Sequence, residues 1–202
     1  MINTLDSITI KMETHAETPE NTAFFEKVRW AITPYLNGLT DRVTRITKSL
    51  REQASASERA WGNRMIGATN NGQWTTKLGE GLVRETLERL GETVRRPKTM
   101  NHYSPDWETD TCIYEVKTRN WTTSGTAGEK VLGTMYKYAS VPRLYGKPLK
   151  IVCVGYQQWE LKNANTKIFG EVQHEQQAFL DLAKSLNIEY VKFSDLVGQL
   201  VN

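Results

Sequence analysis

The sequence contains few of the residues that build several common functional sites. Among 202 residues there are 2 cysteines and 3 histidines. Cys112 and Cys153 each lie inside an apolar, strand-like run, which predicts buried free thiols and a reducing compartment. His15, His102 and His174 have no spacing typical of a metal site or of a nucleophile with its base. The composition therefore argues against a disulfide framework and against histidine-centred catalysis.

Long apolar segments are also missing. No run approaches the roughly 20 apolar residues that cross a bilayer, so we expect no membrane partner. The first residues do not combine a basic region with an apolar one, which favours a cytoplasmic protein over a secreted one. Gly79-Glu80-Gly81 lacks the rest of a phosphate-binding loop, so no nucleotide cofactor is expected.

Net charge is small, but its distribution is uneven. The whole chain carries +3, whereas seven basic residues and one acidic residue give residues 117–150 a charge of +6. Residues 41–64 carry +3, from six basic and three acidic residues, and residues 171–202 carry −3, from two and five. A polyanion such as DNA would meet the middle of the chain. Ordinary solvated surface explains the same counts, so both interpretations stay open.

The turn signal Asn70-Asn71-Gly72 separates two regions of different pattern. Residues 1–72 are predicted as an N-terminal helical region that contacts DNA or dimerises, with helices over 22–37 and 41–67. Residues 73–202 alternate between helical and strand patterns, which predicts an α/β fold. The expected helices cover 77–90, 126–140, 172–186 and the end of the chain from 194, and the expected strands cover 92–100, 111–118, 149–155 and 188–193.

The second of these strands carries the most informative pattern. Alternation places Glu115 and Lys117 on one face and Tyr114 and Val116 on the other. A carboxylate and an ammonium on a buried strand cost desolvation energy unless they are used. Asp106 precedes Glu115 by nine residues, enough for a turn that brings the two together. These carboxylates and the Val116 carbonyl could bind Mg²⁺. Lys117 could orient or deprotonate a water, although a structural salt bridge explains the same pair.

Pro-Asp at Asp106, followed by Glu-x-Lys from Glu115 to Lys117 between two helices, resembles the PD-(D/E)xK nuclease superfamily. The resemblance covers roughly residues 77–155 and is strongest to type II restriction endonucleases. It implies a mixed sheet flanked by helices, Mg²⁺ as cofactor, double-stranded DNA as substrate and a homodimer. It assigns Asp106, Glu115 and Lys117 as catalytic residues. Alternatives are a related nuclease in repair, junction resolution or homing, or an inactive DNA-binding protein.

Further candidates surround this trio. Glu80 lies at the edge of the apolar face of its helix and could join the catalytic acids, although a favourable dipole interaction near the helix N-terminus explains it equally well. Asp110 is an alternative metal ligand. Trp74 and Trp121 are expected in polar loops that could touch DNA. The candidate phosphate contacts are Arg119, Lys130, Lys137, Arg143 and Lys147, and the basic helix could add Arg42, Arg45, Lys48, Arg51, Arg59 and Arg64.

Overall fold

The protein has an α/β architecture with helices on both faces of one sheet. The computed structural model describes residues 18–33, 47–122, 130–163 and 167–200. These residues form eight helices: α1 (Pro19–Ile32), α2 (Lys48–Met65), α3 (Trp74–Arg89), α4 (Leu132–Lys137), α5 (Val141–Tyr145), α6 (Tyr156–Asn163), α7 (His174–Ser185) and α8 (Phe193–Leu200). The strands are β1 (Trp107–Glu108), β2 (Ile113–Arg119), β3 (Leu149–Gly155) and β4 (Ile188–Lys192).

The four strands form a mixed sheet in the order β1-β2-β3-β4. The short strand β1 pairs antiparallel with β2, and β2, β3 and β4 run parallel to one another. Glu115 of β2 lies opposite Ile151 of β3, and Lys117 lies opposite Cys153. The predicted α/β class, the mixed sheet and its flanking helices are therefore confirmed. This agreement concerns the fold class and not a particular fold family.

Two hydrophobic clusters cover the two faces of the sheet. One contains Tyr114 and Val116 of β2 and packs under α1, α2, α3 and α8. The other contains Ile113 of β2 with Leu149, Ile151 and Cys153 of β3, and it packs under the helices between the parallel strands. Both central strands are buried on both sides, which explains the nearly continuous apolar sequence of β3. Glu115 and Lys117 point into the second layer, as the alternation of β2 predicts.

Helix α3 approaches β2 unusually closely at Gly79. A Cβ atom at this position would lie 1.7 Å from Thr118 Oγ1, so only a glycine fits. This contact brings the helix that carries Glu80 against the strand that carries Glu115 and Lys117. The packing between α3 and β2 therefore helps to define the candidate site.

The helices of the N-terminal region share the core of the sheet. Trp30 packs near Trp61 and Trp74, with ring centroids 5.5 Å and 5.8 Å apart. Glu58 of α2 is only 1% exposed and accepts four hydrogen bonds. The donors are Trp30 Nε1, the backbone amides of Trp121 and Thr122, and Thr122 Oγ1. This buried carboxylate joins α1 and α2 to the chain that leaves β2.

Trp74 and Trp121 correct an expectation from the sequence. Each is 4% exposed, so neither is the loop aromatic that was expected to touch DNA. Trp74 begins α3 and packs against the backbone of α2 at Gly62. The Nε1 atom of Trp121 donates to the backbone carbonyl of Trp30 at 2.7 Å. The residues next to Trp74 and Trp121 in the sequence are polar and do not indicate these contacts, because the partners belong to other helices.

The strand expected over 92–100 does not form. That segment makes only isolated bridges, between Arg95 and Glu108 and between Met100 and Tyr103. Pro97 lacks an amide hydrogen for a strand ladder, and residues 101 and 102 turn the chain with positive φ angles. The other predicted strands agree with β2, β3 and β4 within a few residues.

The helices agree with the sequence less closely than the strands. The expected helix over 126–140 begins outside the described residues, and its described part ends with α4 at Lys137 before the separate short helix α5. Helix α6 was not predicted. Residues 34–37 and 41–46, which belong to the helices expected over 22–37 and 41–67, also lie outside the described residues. No helix in the described part of the chain is long and apolar enough to cross a membrane.

Candidate active site

Asp106 lies beside β2 because its own side chain continues the β1–β2 pairing. Its backbone amide donates to the Tyr114 carbonyl at 3.0 Å. Its Oδ2 atom then accepts the backbone amide of Val116 at 2.7 Å. The carboxylate takes the place of a strand acceptor where the chain enters β1, so the side chain is fixed against the middle of β2. The turn expected between Asp106 and Glu115 is therefore present.

Glu115 and Lys117 form an ion pair on the same face of β2. Lys117 Nζ lies 2.5 Å from Glu115 Oε1, with the lysine side chain 31% exposed and the glutamate side chain 6% exposed. The second oxygen, Glu115 Oε2, is buried, and the hydroxyl of Tyr138 faces the same carboxylate. Glu115 Oε2 could be a ligand of a cation that Asp106 also binds.

The electrostatics of Asp106 reflect the crowding of acids at this point. Burial, followed by the negative charge of Glu115, raises the pKa of Asp106 to about 7. The hydrogen bond from Val116 lowers this pKa, Glu80 raises it further, and Lys117 lowers it. Asp106, Glu115 and Glu80 therefore act on one small region. A divalent cation there would remove the repulsion that keeps Asp106 partly protonated near neutral pH.

The available ligands fit an oxygen-rich site that is incomplete without water or substrate. In residues 18–33, 47–122, 130–163 and 167–200, no three His, Cys, Asp or Glu side chains form a group that could hold a metal. Asp106 and Glu115 supply two carboxylates. Because the Val116 amide faces Asp106, the Val116 carbonyl faces the same edge of the strand and could add a third oxygen. Mg²⁺ commonly takes one or two carboxylates and fills its other positions with water and phosphate oxygen.

Arg96 links Glu80 to Asp106, because its guanidinium contacts both residues. Its Oε2 atom lies 2.7 Å from Arg96 Nη2, and Nη1 of the same guanidinium donates to the Asp106 carbonyl at 2.9 Å. Arg96 Nη1 is also 3.8 Å from Asp106 Oδ1. Asp110, the alternative metal ligand, instead pairs with Arg95 and is 74% exposed on its side chain. The structure therefore brings Glu80 toward Asp106, whereas Asp110 is engaged elsewhere.

Tyr138 and Arg96 are the neighbours of the site that the sequence did not single out. Tyr138 is 5% exposed at the end of α4. Burial, followed by the charge of Glu115, raises the pKa of Tyr138 well above its usual value. Its hydroxyl therefore stays protonated and acts as a hydrogen-bond donor toward the Glu115 carboxylate. No local signal distinguishes this tyrosine from an ordinary core residue, because its relation to Glu115 depends on how the end of α4 packs against β2.

Three of the five candidate phosphate contacts are on the surface. Lys130, Lys137 and Arg143 are exposed on or near α4 and α5. Lys137 Nζ lies 4.8 Å from the centre of the Tyr138 ring, which connects this basic surface with the neighbourhood of Glu115. These three residues keep their expected role as a prediction.

Arg119 and Lys147 are corrected by their surroundings. Arg119 is 5% exposed, pairs with Glu160 of α6 and stacks 4.9 Å above the Tyr156 ring. Lys147 Nζ binds Glu108 Oε1 at 2.6 Å and the Thr109 carbonyl at 2.8 Å. Both cations therefore hold parts of the fold together, and neither is presented to a phosphate. The sequence analysis missed the acidic partner of Arg119 because it did not predict α6, the helix that carries Glu160.

The basic N-terminal helix is partly described. Lys48, Arg51, Arg59 and Arg64 lie on or at the ends of α2. Lys48 is 4.0 Å from Glu52, and Arg64 is 3.9 Å from Glu26. Their expected contact with DNA or with a second copy of the chain stays a prediction. Arg42 and Arg45 lie outside the described residues.

Comparison with known proteins adds no relative. Comparisons with protein-family models, with curated proteins and with solved structures found no match to this chain. The chemistry of the site is therefore argued from the positions of its own residues: two carboxylates, an adjacent ammonium and a backbone carbonyl at one edge of β2.

Proposed function

We propose that this protein is a Mg²⁺-dependent endonuclease that hydrolyses phosphodiester bonds in double-stranded DNA. The observation that carries the proposal is the convergence of three charged groups at β2. Glu115 is buried, Lys117 pairs with it, and the charge of Glu115 raises the pKa of Asp106. The mixed sheet flanked by helices is compatible with the restriction-endonuclease-like fold that the sequence resemblance implies.

The residues divide the work of hydrolysis by their positions. Asp106 and Glu115, with the Val116 carbonyl, would hold the cation. When bound, it would act as a Lewis acid toward the phosphate and favour attack by water. Lys117 is held beside Glu115 by an ion pair at 2.5 Å, so its ammonium can orient water and offset negative charge on the phosphate oxygens. The phenol of Tyr138 helps to keep the Glu115 side of the site closed to bulk water.

The surface beside the site suits a polyanion. Lys130, Lys137 and Arg143 are exposed, and Lys137 lies against the tyrosine that faces Glu115. Each phosphate neutralised by such a residue releases counterions and strengthens binding at low salt. More narrowly, we propose that the protein acts as a type II restriction endonuclease. In a symmetric dimer, two such sites would cut both strands at a short sequence.

Cleavage of phage DNA tests this proposal and its alternatives. Purified protein and its Lys117→Ala variant are incubated with phage DNA, and separately with branched DNA, in Mg²⁺ and in EDTA. Discrete fragments that require both Mg²⁺ and Lys117 support a sequence-specific endonuclease. A smear supports a nonspecific nuclease, and cleavage of branched DNA alone supports junction resolution. Tight binding without cleavage of any substrate would make Asp106, Glu115 and Lys117 a structural cluster.

A further inference from the structure

Arg96 occupies the side of the site where Asp106 and Glu80 meet. One guanidinium contacts both acids: Nη2 lies 2.7 Å from Glu80 Oε2, and Nη1 lies 3.8 Å from Asp106 Oδ1. Nη1 also donates to the Asp106 carbonyl at 2.9 Å. The same cation therefore balances part of the negative charge that Asp106, Glu80 and Glu115 bring together.

The position of Arg96 is defined, although its side chain is largely exposed. The guanidinium carbon lies 4.0 Å from the centre of the Trp107 ring, in a cation–π contact. Trp107 is itself 6% exposed, and its Nε1 atom donates to the Glu80 carbonyl at 2.9 Å. The Arg96 side chain is 57% exposed, so it can leave the carboxylates without disturbing the core.

We infer that Arg96 is the counter-ion of Asp106 and Glu80 and that it competes with the divalent cation for Asp106. Without metal, Arg96 holds the two acids together. A bound cation would balance the charge of Asp106 in place of Arg96, and the guanidinium could then face a substrate phosphate, which it could bind through two nitrogens. This inference rests on the proposed function, because Asp106 is also a ligand of the proposed metal site.

Metal binding in the absence of DNA tests the inference. Manganese is titrated calorimetrically into the wild-type protein and into Arg96→Gln, Arg96→Lys and Arg95→Gln variants. A guanidinium about 6 Å from a doubly charged ion repels it enough, at the dielectric constant of water, to weaken binding about tenfold. We therefore expect Arg96→Gln to bind Mn²⁺ about tenfold more tightly, whereas Arg96→Lys keeps the charge and stays close to wild type.

Arg95 supplies the matched control. It is the adjacent residue, but it pairs with Glu108 and Asp110 and contacts neither Asp106 nor Glu80 in the structure. Its Gln variant should bind Mn²⁺ within twofold of wild type, a margin of about 0.4 kcal/mol at room temperature. Thermal unfolding checks that each variant is folded. Arg96→Met, which keeps the apolar stem over Trp107, replaces the Gln variant if that variant does not fold.

The outcomes separate this inference from the proposed function. If the wild-type protein binds no Mn²⁺ at millimolar concentration, the proposed metal site itself is wrong. If wild type binds Mn²⁺ and Arg96→Gln binds it equally or more weakly, the metal site stands and the competition by Arg96 is refuted. Tighter binding by Arg96→Gln, with Arg95→Gln unchanged, supports the competition.

Discussion

Replacing Gly79 with alanine tests how closely α3 is packed against β2. The new Cβ would lie 1.7 Å from Thr118 Oγ1 and 2.7 Å from Thr118 Cβ, whereas ordinary contacts begin at 3.4 Å. Thr118 directly follows Lys117, so the strain acts on β2 beside the site. Either α3 moves away from the sheet with Glu80, or β2 shifts with Lys117.

The matched control is Gly81, two residues later in the same helix. Among the described residues, no atom beyond its chain neighbours and the adjacent backbone of its own helix lies within 4 Å of a Cβ built there. Alanine at Gly81 should stabilise the protein by up to about 1 kcal/mol, because alanine is a better helix former. At Gly79 the same gain is outweighed by overpacking of about 3 kcal/mol, for a net loss of about 2 kcal/mol. In a protein of this size the melting temperature should fall by roughly 4–8 °C.

Thermal unfolding monitored by circular dichroism measures both changes. Adding Thr118→Ala to Gly79→Ala should recover part of the loss, because it removes the two threonine atoms that lie 1.7 Å and 2.9 Å from the new Cβ. The recovery is incomplete, since the Cβ atom at 118 remains 2.7 Å away. If Gly79→Ala is as stable as Gly81→Ala, the close approach of α3 to β2 is wrong.

Three further changes test other parts of the structure. Because the raised pKa of Asp106 makes the folded protein hold this proton more tightly, wild-type stability should fall as pH rises from about 4 to 7 and then level off, and Asp106→Asn should lose this fall in thermal melts. Glu58→Gln should lower the free energy of unfolding in urea by about 3 kcal/mol, because an amide cannot accept all four hydrogen bonds. Replacing Lys130, Lys137 and Arg143 with glutamine should reduce the slope of log DNA affinity against log salt by about 3.

A different result would contradict each of these predictions. An Asp106→Asn protein with the wild-type pH profile would mean that Asp106 titrates normally. A Glu58→Gln protein of unchanged stability would mean that the four donors find other partners. Lys184→Gln, on the exposed and more acidic helix α7, is the control for the salt slope. An equal effect from Lys184 would mean that binding depends on overall charge alone.

The parallel strands and the proximity of Asp106, Glu115 and Lys117 could be predicted because their signals are local. Strand β3 is a nearly continuous apolar run, and β2 alternates around Glu115, so their positions follow from the sequence. Asp106 needs only one turn to reach β2, and its hydrogen bond to Val116 spans 10 residues. This part of the site could therefore be predicted from residues that lie close together in the sequence.

The surroundings of the trio depend on contacts between distant segments. Arg119 is basic and follows the active-site strand, but its partner Glu160 lies 41 residues later in a helix without a clear apolar pattern. Arg96 lies in a segment that looked like a strand, although Pro97 prevents a ladder there. Trp121 donates a hydrogen bond to the backbone carbonyl of Trp30, 91 residues earlier. Periodicity within one segment carries no information about such partners.

The most direct test of the central claim is the rate at which the protein cleaves plasmid DNA in Mg²⁺, compared with its Glu115→Gln variant. Glutamine keeps the shape of Glu115 and removes the charge that would hold the cation. The account predicts cleavage by the wild-type protein, none in EDTA, and a loss of at least about 100-fold in the variant. Equal cleavage by the folded variant, or none by the wild-type protein on any duplex tested, would contradict it.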